Sequence, residues 1–296
     1  MPSPRTLVLV VVTTTIAVAG TLVMQAVLSE EAPVEGVLQG RFHSAILNEE
    51  REYIVHFPEN YARDSTAHYP VLYVLDGTSQ SGHTAASAAL LARIGLIPPM
   101  IVIGVPSVDG GTRNRDYTPP TMRLDTDQTG GPLGEADRFL SSLRSELVPL
   151  IERSFRTARP RMLAGWSRGG LFVVYATLTA PSLFDARFAH SPALWRENDL
   201  IVAQFREALA QDSANVGLLY LSLGDAENDK MKGSFQQARA MLQASARLTL
   251  RWRMDLSVGG THETNPRLST PVGLCLLFAA QNGSACTRWP MATPIQ

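Results

Sequence analysis

Gly165-Trp166-Ser167-Arg168-Gly169 sets a serine between two glycines, after the short apolar run Arg161-Met-Leu-Ala164 and ahead of a helically spaced stretch from Gly169 to Thr179. A serine on a sharp strand-to-helix turn presents its Oγ for attack on a carbonyl, and flanking glycines let two backbones meet there. Such a nucleophile needs a base within hydrogen-bond reach. Of the six histidines, only His262, in Gly259-Gly260-Thr261-His262-Glu263-Thr264, follows the last apolar run, where the base of a strand-borne nucleophile sits. His43, His56 and His68 read as structural, and His190 follows the nucleophile's helix too directly to serve.

The acid that orients this histidine should lie just past the preceding strand. There Gly224-Asp225-Ala226-Glu227-Asn228-Asp229 offers Glu227, the preferred residue, and Asp225, which could instead bind backbone amides. Two backbone N–H groups should face the oxyanion: that of Arg168, and one from Asp76-Gly77-Thr78, with Thr78 the preferred donor and Gly77 allowing the turn. The chemistry these residues could do together is acyl transfer through a serine ester, which needs no metal or organic cofactor.

These residues must be held by a sheet. Gly40–Leu47 and Arg51–Phe57 flank Asn48-Glu49-Glu50 and read as a hairpin. Beyond them, buried-strand runs at 71–75, 100–105, 161–164, 186–190, 216–223 and 248–254 alternate with helical stretches at 82–94, 135–155, 169–179, 199–211, 233–246 and 271–281. That alternation predicts an α/β class: a mainly parallel, doubly wound sheet of about eight strands with a leading antiparallel hairpin. Residues 106–134, rich in Gly, Pro, Thr and Asp, read as one long irregular segment shaping a binding site.

The chain has 296 residues, 45% hydrophobic and 18% charged, with a formal net charge of -1. That balance is that of a globular protein and gives no electrostatic reason to expect nucleic acid as a partner. Leu7–Leu28 is apolar apart from four threonines and Gln25, so residues 1–29 are expected to be an export segment, cleaved as a signal peptide or kept as a membrane anchor. Residues 30–38 read as a linker and 39–296 as one catalytic domain, placed in the periplasm or outside the cell. In that oxidising setting the two cysteines, Cys275 and Cys286, could bridge or remain two thiols.

Five segments together resemble a known family: Tyr69-Pro-Val-Leu-Tyr-Val-Leu-Asp-Gly77, Asn114-Arg-Asp-Tyr-Thr-Pro119, Ala164-Gly-Trp-Ser-Arg-Gly-Gly-Leu171, Ser191-Pro-Ala-Leu-Trp195 and Gly260-Thr-His-Glu263. From about Gly40 to Phe278 the chain resembles the esterases of the α/β-hydrolase fold that include enterobactin and salmochelin esterases and S-formylglutathione hydrolases, and it looks closest to the siderophore-esterase branch. The resemblance implies Ser167 and His262 as catalytic residues, a cleft partly walled by Trp195, and a small-molecule ester as substrate. A negatively charged ferric catecholate would favour cations near the cleft, and Arg113, Arg115 and Arg168 could supply them unless they brace loops. An acyltransferase on the same three residues, or a silent binding protein on the same scaffold, are the competing readings.

Overall fold

The computed structural model describes residues 36–124, 130–210, 217–245 and 250–282. The expected export segment and Cys286 lie outside them. Among the described residues no helix is long and apolar enough to cross a membrane.

Strands β1 (Val37–Ser44) and β2 (Glu49–His56) form the expected antiparallel hairpin, with Val37 opposite His56 and Ser44 opposite Glu49. Strands β3 (Tyr69–Leu75), β4 (Ile101–Val105), β5 (Thr157–Trp166), β6 (Ala186–His190), β7 (Leu218–Gly224) and β8 (Arg251–Ser257) run parallel to one another, and β2 joins them antiparallel to β4. The order is β1-β2-β4-β3-β5-β6-β7-β8.

Every residue of β3, β4, β6 and β7 is buried, because helices cover both faces of the sheet. Alternation sorts their side chains into two cores. Tyr73, Leu75, Ile103 and Leu221 pack on one face, and Leu72, Val74, Val102 and Tyr220 on the other.

The helices are α1 (Gly77–Arg93), α2 (Gly110–Tyr117), α3 (Ala136–Ser142), α4 (Val148–Ser154), α5 (Arg168–Thr179), α6 (Leu200–Ala210), α7 (Asp229–Ala244) and α8 (Asn265–Asn282). A π turn, Leu143–Leu147, joins α3 to α4, so the single expected helix at 135–155 is one run with an irregular centre. Helix α2 corrects the reading of 106–134 as wholly irregular. Its composition hides it, but Asp109 caps it by accepting the Thr112 N–H at 2.6 Å. Helix α8 starts six residues before Pro271 and passes through it, where the sequence suggested that the proline opens it.

Candidate active site

Strand β5 ends at Trp166 and α5 starts at Arg168, which leaves Ser167 alone in the turn with φ 59° and ψ −116°. Positive φ is strained for a residue with a Cβ, so neighbouring bonds must hold it. The Ser167 N–H donates to the His190 carbonyl at 3.0 Å, and the Ser167 carbonyl accepts from the Leu171 and Ala193 N–H groups, each at 3.0 Å. The glycines are required by contact: a Cβ at Gly165 would lie 2.4 Å from the Gly169 carbonyl oxygen, and one at Gly170 would lie 2.9 Å from Pro192 Cα.

The structure brings three of the expected residues together. His262 Nε2 lies 3.0 Å from Ser167 Oγ, and His262 Nδ1 lies 2.8 Å from Glu227 Oε2. Glu227 turns in just beyond β7, and His262 lies on the loop between β8 and α8. The two loops interlock, since the Ala226 N–H donates to the Gly260 carbonyl at 3.0 Å and a Cβ at Gly224 would lie 2.1 Å from that same oxygen. Trp166 holds the base loop from the other side by donating its indole N–H to the His262 carbonyl at 2.7 Å.

Burial pushes the Glu227 carboxyl up, but hydrogen bonds from His262, Ser191 and the Gly224 N–H outweigh it and hold the group below its ordinary value. The buried carboxylate is therefore ionised at neutral pH. Asp225 faces solvent and accepts the Gly259 N–H at 2.8 Å, bracing the turn without touching His262. Of the two candidate carboxylates, Glu227 is the one placed beside the histidine. The His190 ring is buried against Ser222 and Ser269 and makes no hydrogen bond to Ser167 Oγ.

On the oxyanion side, Asp76 has a left-handed backbone (φ 54°, ψ 42°) and α1 begins at Gly77. The Asp76 carbonyl accepts from the Ser79 and Gln80 N–H groups at 2.9 and 3.0 Å, so the Gly77 and Thr78 amides precede the first intrahelical bond. A Cβ at Gly77 would lie 2.5 Å from the Val105 nitrogen, which makes glycine necessary there. Thr78 is exposed and borders a neighbouring groove with Arg41, Glu50, Glu52 and Val108, while Arg168 opens α5 directly behind the serine.

The three arginines divide. Arg113 lines the cleft, but its guanidinium grips both Asp76 carboxylate oxygens at 2.6 and 2.8 Å and reaches the Trp166 carbonyl at 3.3 Å, tying β3 to the elbow. The Arg168 side chain is buried and donates to Thr118 Oγ1 at 2.8 Å. Arg115 corrects the expectation of a substrate-facing cation. It pairs with Glu49 at 2.5 Å and Asp116 at 2.8 Å, fixing α2 to the hairpin, and it does not line the cleft.

Ser167 and His262 open onto a cleft of about 460 Å³ lined also by Trp195, Arg196, Asn228 and Lys230. The Lys230 ammonium stands 3.8 Å from the centre of the Trp195 ring and the Arg196 guanidinium 5.0 Å from it. Lys230 escaped the sequence reading because exposed lysines at helix starts carry no local signal. No cluster of three or more His, Cys, Asp or Glu among the described residues could hold a metal ion.

A sheet of this order, carrying these side chains at its carboxyl edge, defines an α/β-hydrolase. The chain belongs to the esterase family described as "Putative esterase", whose model matches residues 44–282, and it is an ester hydrolase. It is 28% identical over 218 residues to the ferri-bacillibactin esterase BesA of Bacillus subtilis (strain 168), covering 68% of this chain and 75% of that protein. It is 35% identical over 147 residues to the siderophore enterobactin esterase of Emericella nidulans, covering 43% of this chain and 47% of that one. An IroE-like serine hydrolase from Shewanella oneidensis superposes with a TM-score of 0.73 at 28% identity, over 81% of this chain and 80% of that one.

Proposed function

We propose that the chain hydrolyses siderophore-type carboxylic esters through an acyl-enzyme on Ser167. The observation that carries the mechanism is the continuous set of contacts from Ser167 Oγ to His262 Nε2 at 3.0 Å and from His262 Nδ1 to Glu227 Oε2 at 2.8 Å. His262 takes the serine proton as Oγ bonds to the ester carbon, and the Glu227 carboxylate stabilises the imidazolium that results. The carbonyl oxygen becomes an oxyanion facing the N–H groups of Arg168 and of Thr78 or Gly77. As the C–O bond breaks, His262 returns the proton to the departing alcohol. Water, deprotonated by the same histidine, then releases the acid and regenerates Ser167.

Two features support the substrate class: relatives named for ferri-bacillibactin and enterobactin, and the cation-flanked Trp195 beside the nucleophile. The reading is tested by comparing turnover of ferric and iron-free catecholate triesters with p-nitrophenyl esters of increasing chain length, alongside organophosphonate labelling of Ser167. Absence of labelling would overturn the mechanism. Labelling with turnover confined to simple esters would overturn the substrate class, and faster transfer to an added alcohol than to water would make the chain an acyltransferase. Export through residues 1–29 belongs to the same proposal, and cell fractionation with N-terminal sequencing of the recovered protein reads both location and cleavage.

A further inference from the structure

Behind Glu227 lies a buried polar cluster that the hydrolytic steps do not use. Ser191, at the end of β6, is fully buried and holds φ 45°, a conformation that its neighbours must stabilise. Its hydroxyl donates to Glu227 Oε1 at 2.6 Å and accepts from Asn265 Nδ2 at 2.9 Å. Asn265, also fully buried, is the first residue of α8, three positions after His262, and its N–H donates to the Thr261 carbonyl at 2.9 Å.

The direction of these bonds follows from counting hydrogens. Asn265 Oδ1 accepts from Ser257 Oγ at 2.6 Å, so the amide nitrogen faces the other way, toward Ser191 at 2.9 Å and Ser222 at 3.1 Å. An amide nitrogen has two hydrogens and both are used. The Ser191 oxygen already accepts one of them, so its single hydrogen goes to Glu227. With the Gly224 N–H also donating to Oε1 at 2.9 Å, that oxygen is occupied twice and Oε2 is left for His262.

We propose that Ser191 and Asn265 are positioning residues for the acid: a one-way relay from Asn265 through Ser191 fixes the rotation of the Glu227 carboxylate, so that Oε2 stays against His262 Nδ1. The inference rests on the reading of Ser167, His262 and Glu227 given above. Because Asn265 also starts the helix behind the base loop, the relay joins acid and base through one buried side chain.

The test uses the full chain and three variants. Ser191→Ala deletes the donor. Asn265→Asp keeps the volume and, as a carboxylate, can only accept, so assayed at pH 8 it draws the Ser191 hydrogen away from Glu227. Ser269→Ala removes a hydroxyl of the same cluster that is not on the path to Glu227. For a p-nitrophenyl ester, Ser191→Ala and Asn265→Asp are expected to lower kcat by about 10- to 100-fold with KM changed less than about twofold, and Ser269→Ala to stay within about threefold. In phosphonylated protein, the low-field proton resonance of His262 Nδ1–H should shift or broaden in the first two variants and persist in the third. Should Ser191→Ala fail to fold, the isosteric Asn265→Asp carries the test. Normal kcat and an unchanged resonance in Asn265→Asp, with Ser167→Ala inactive, would overturn the relay alone. Hydrolysis persisting in Ser167→Ala would overturn the mechanism beneath it.

Discussion

The Trp166 indole donates to the His262 carbonyl at 2.7 Å, so the residue before the nucleophile fixes the backbone that carries the base. The two rings also stand 5.0 Å apart at a 42° tilt, which confines the imidazole on one side. Trp166→Phe keeps an aromatic ring and removes the donor. The expected loss is about 5- to 30-fold in kcat, the equivalent of about 1–2 kcal/mol for one hydrogen bond. KM should barely move, and a rise in KM as large as the fall in kcat would show that Trp166 touches substrate instead.

Ser167→Ala and His262→Ala should each abolish all but a residue of turnover, and the double variant should be no slower than either, because the two act as one unit. Glu227→Gln is expected to cost about 10³- to 10⁴-fold in kcat, while Asp225→Asn, which only braces the Gly259 turn, should stay within about threefold. Steady-state kinetics on one chromogenic ester decides the matter, and equal losses in the two acid variants would break the assignment.

Lys230 stands over Trp195 at the mouth of the cleft, where it can meet an anionic acyl group that stacks on the indole. Lys230→Met should leave turnover of a neutral acetate ester unchanged and raise KM for a ferric catecholate ester on the order of tenfold. Raising the salt concentration should weaken the wild type more than the variant. Equal KM values for the anionic ester in the two proteins would remove Lys230 from recognition.

Burial pushes His83 down to about 4, and burial together with the nearby His83 pushes His190 down to about 3. An unfolded histidine takes a proton near 6.5, so both groups favour the folded state most fully above that pH. Stability should fall as the pH drops from about 6.5, because the unfolded chain binds protons that the folded chain refuses. The loss from these groups levels off near pH 4 for His83 and near 3 for His190. Each histidine contributes a slope of up to about 1.4 kcal/mol per pH unit. Urea unfolding at pH 7.5, 6.5, 5.5 and 4.5 should show this, and His83→Gln should flatten the curve by one proton. A curve identical to wild type would mean that His83 charges readily in the folded protein.

Cys275 is disulfide-bonded in the structure, and Cys286 is the chain's other cysteine. Reduction should lower the melting temperature, since a bridge closing so short a loop contributes roughly 2–3 kcal/mol. Two free thiols in denatured, unreduced protein would refute a bridge.

Ser167 and His262 were legible because their signals are local: glycines that permit close backbone contact, and placement just past strand ends. The sheet was legible because strands buried on both faces read as nearly continuous apolar runs, as β3 does and as β7 does apart from Ser222. The choice between Glu227 and Asp225 was not, because both lie in one turn and only the turn's path decides which carboxylate points inward. Ser191 and Asn265 lie 74 positions apart, and Arg113 lies 37 from Asp76, so nothing near either residue announces the partner. Arg115 misled in part for the same reason: Asp116 is its neighbour in sequence, but Glu49, which turns it toward the hairpin, lies 66 positions away.

The missing side chain at Gly224 couples the loops of acid and base. With the Gly260 carbonyl occupying the space of a Cβ, neither loop can drift, lengthen or exchange sequence without displacing the other. The pair therefore behaves as one mechanical part, closed to gradual adjustment. New substrate preferences in this scaffold arise more readily across the cleft, at the Trp195 rim with Arg196 and Lys230, whose side chains stand apart from the interlocked loops.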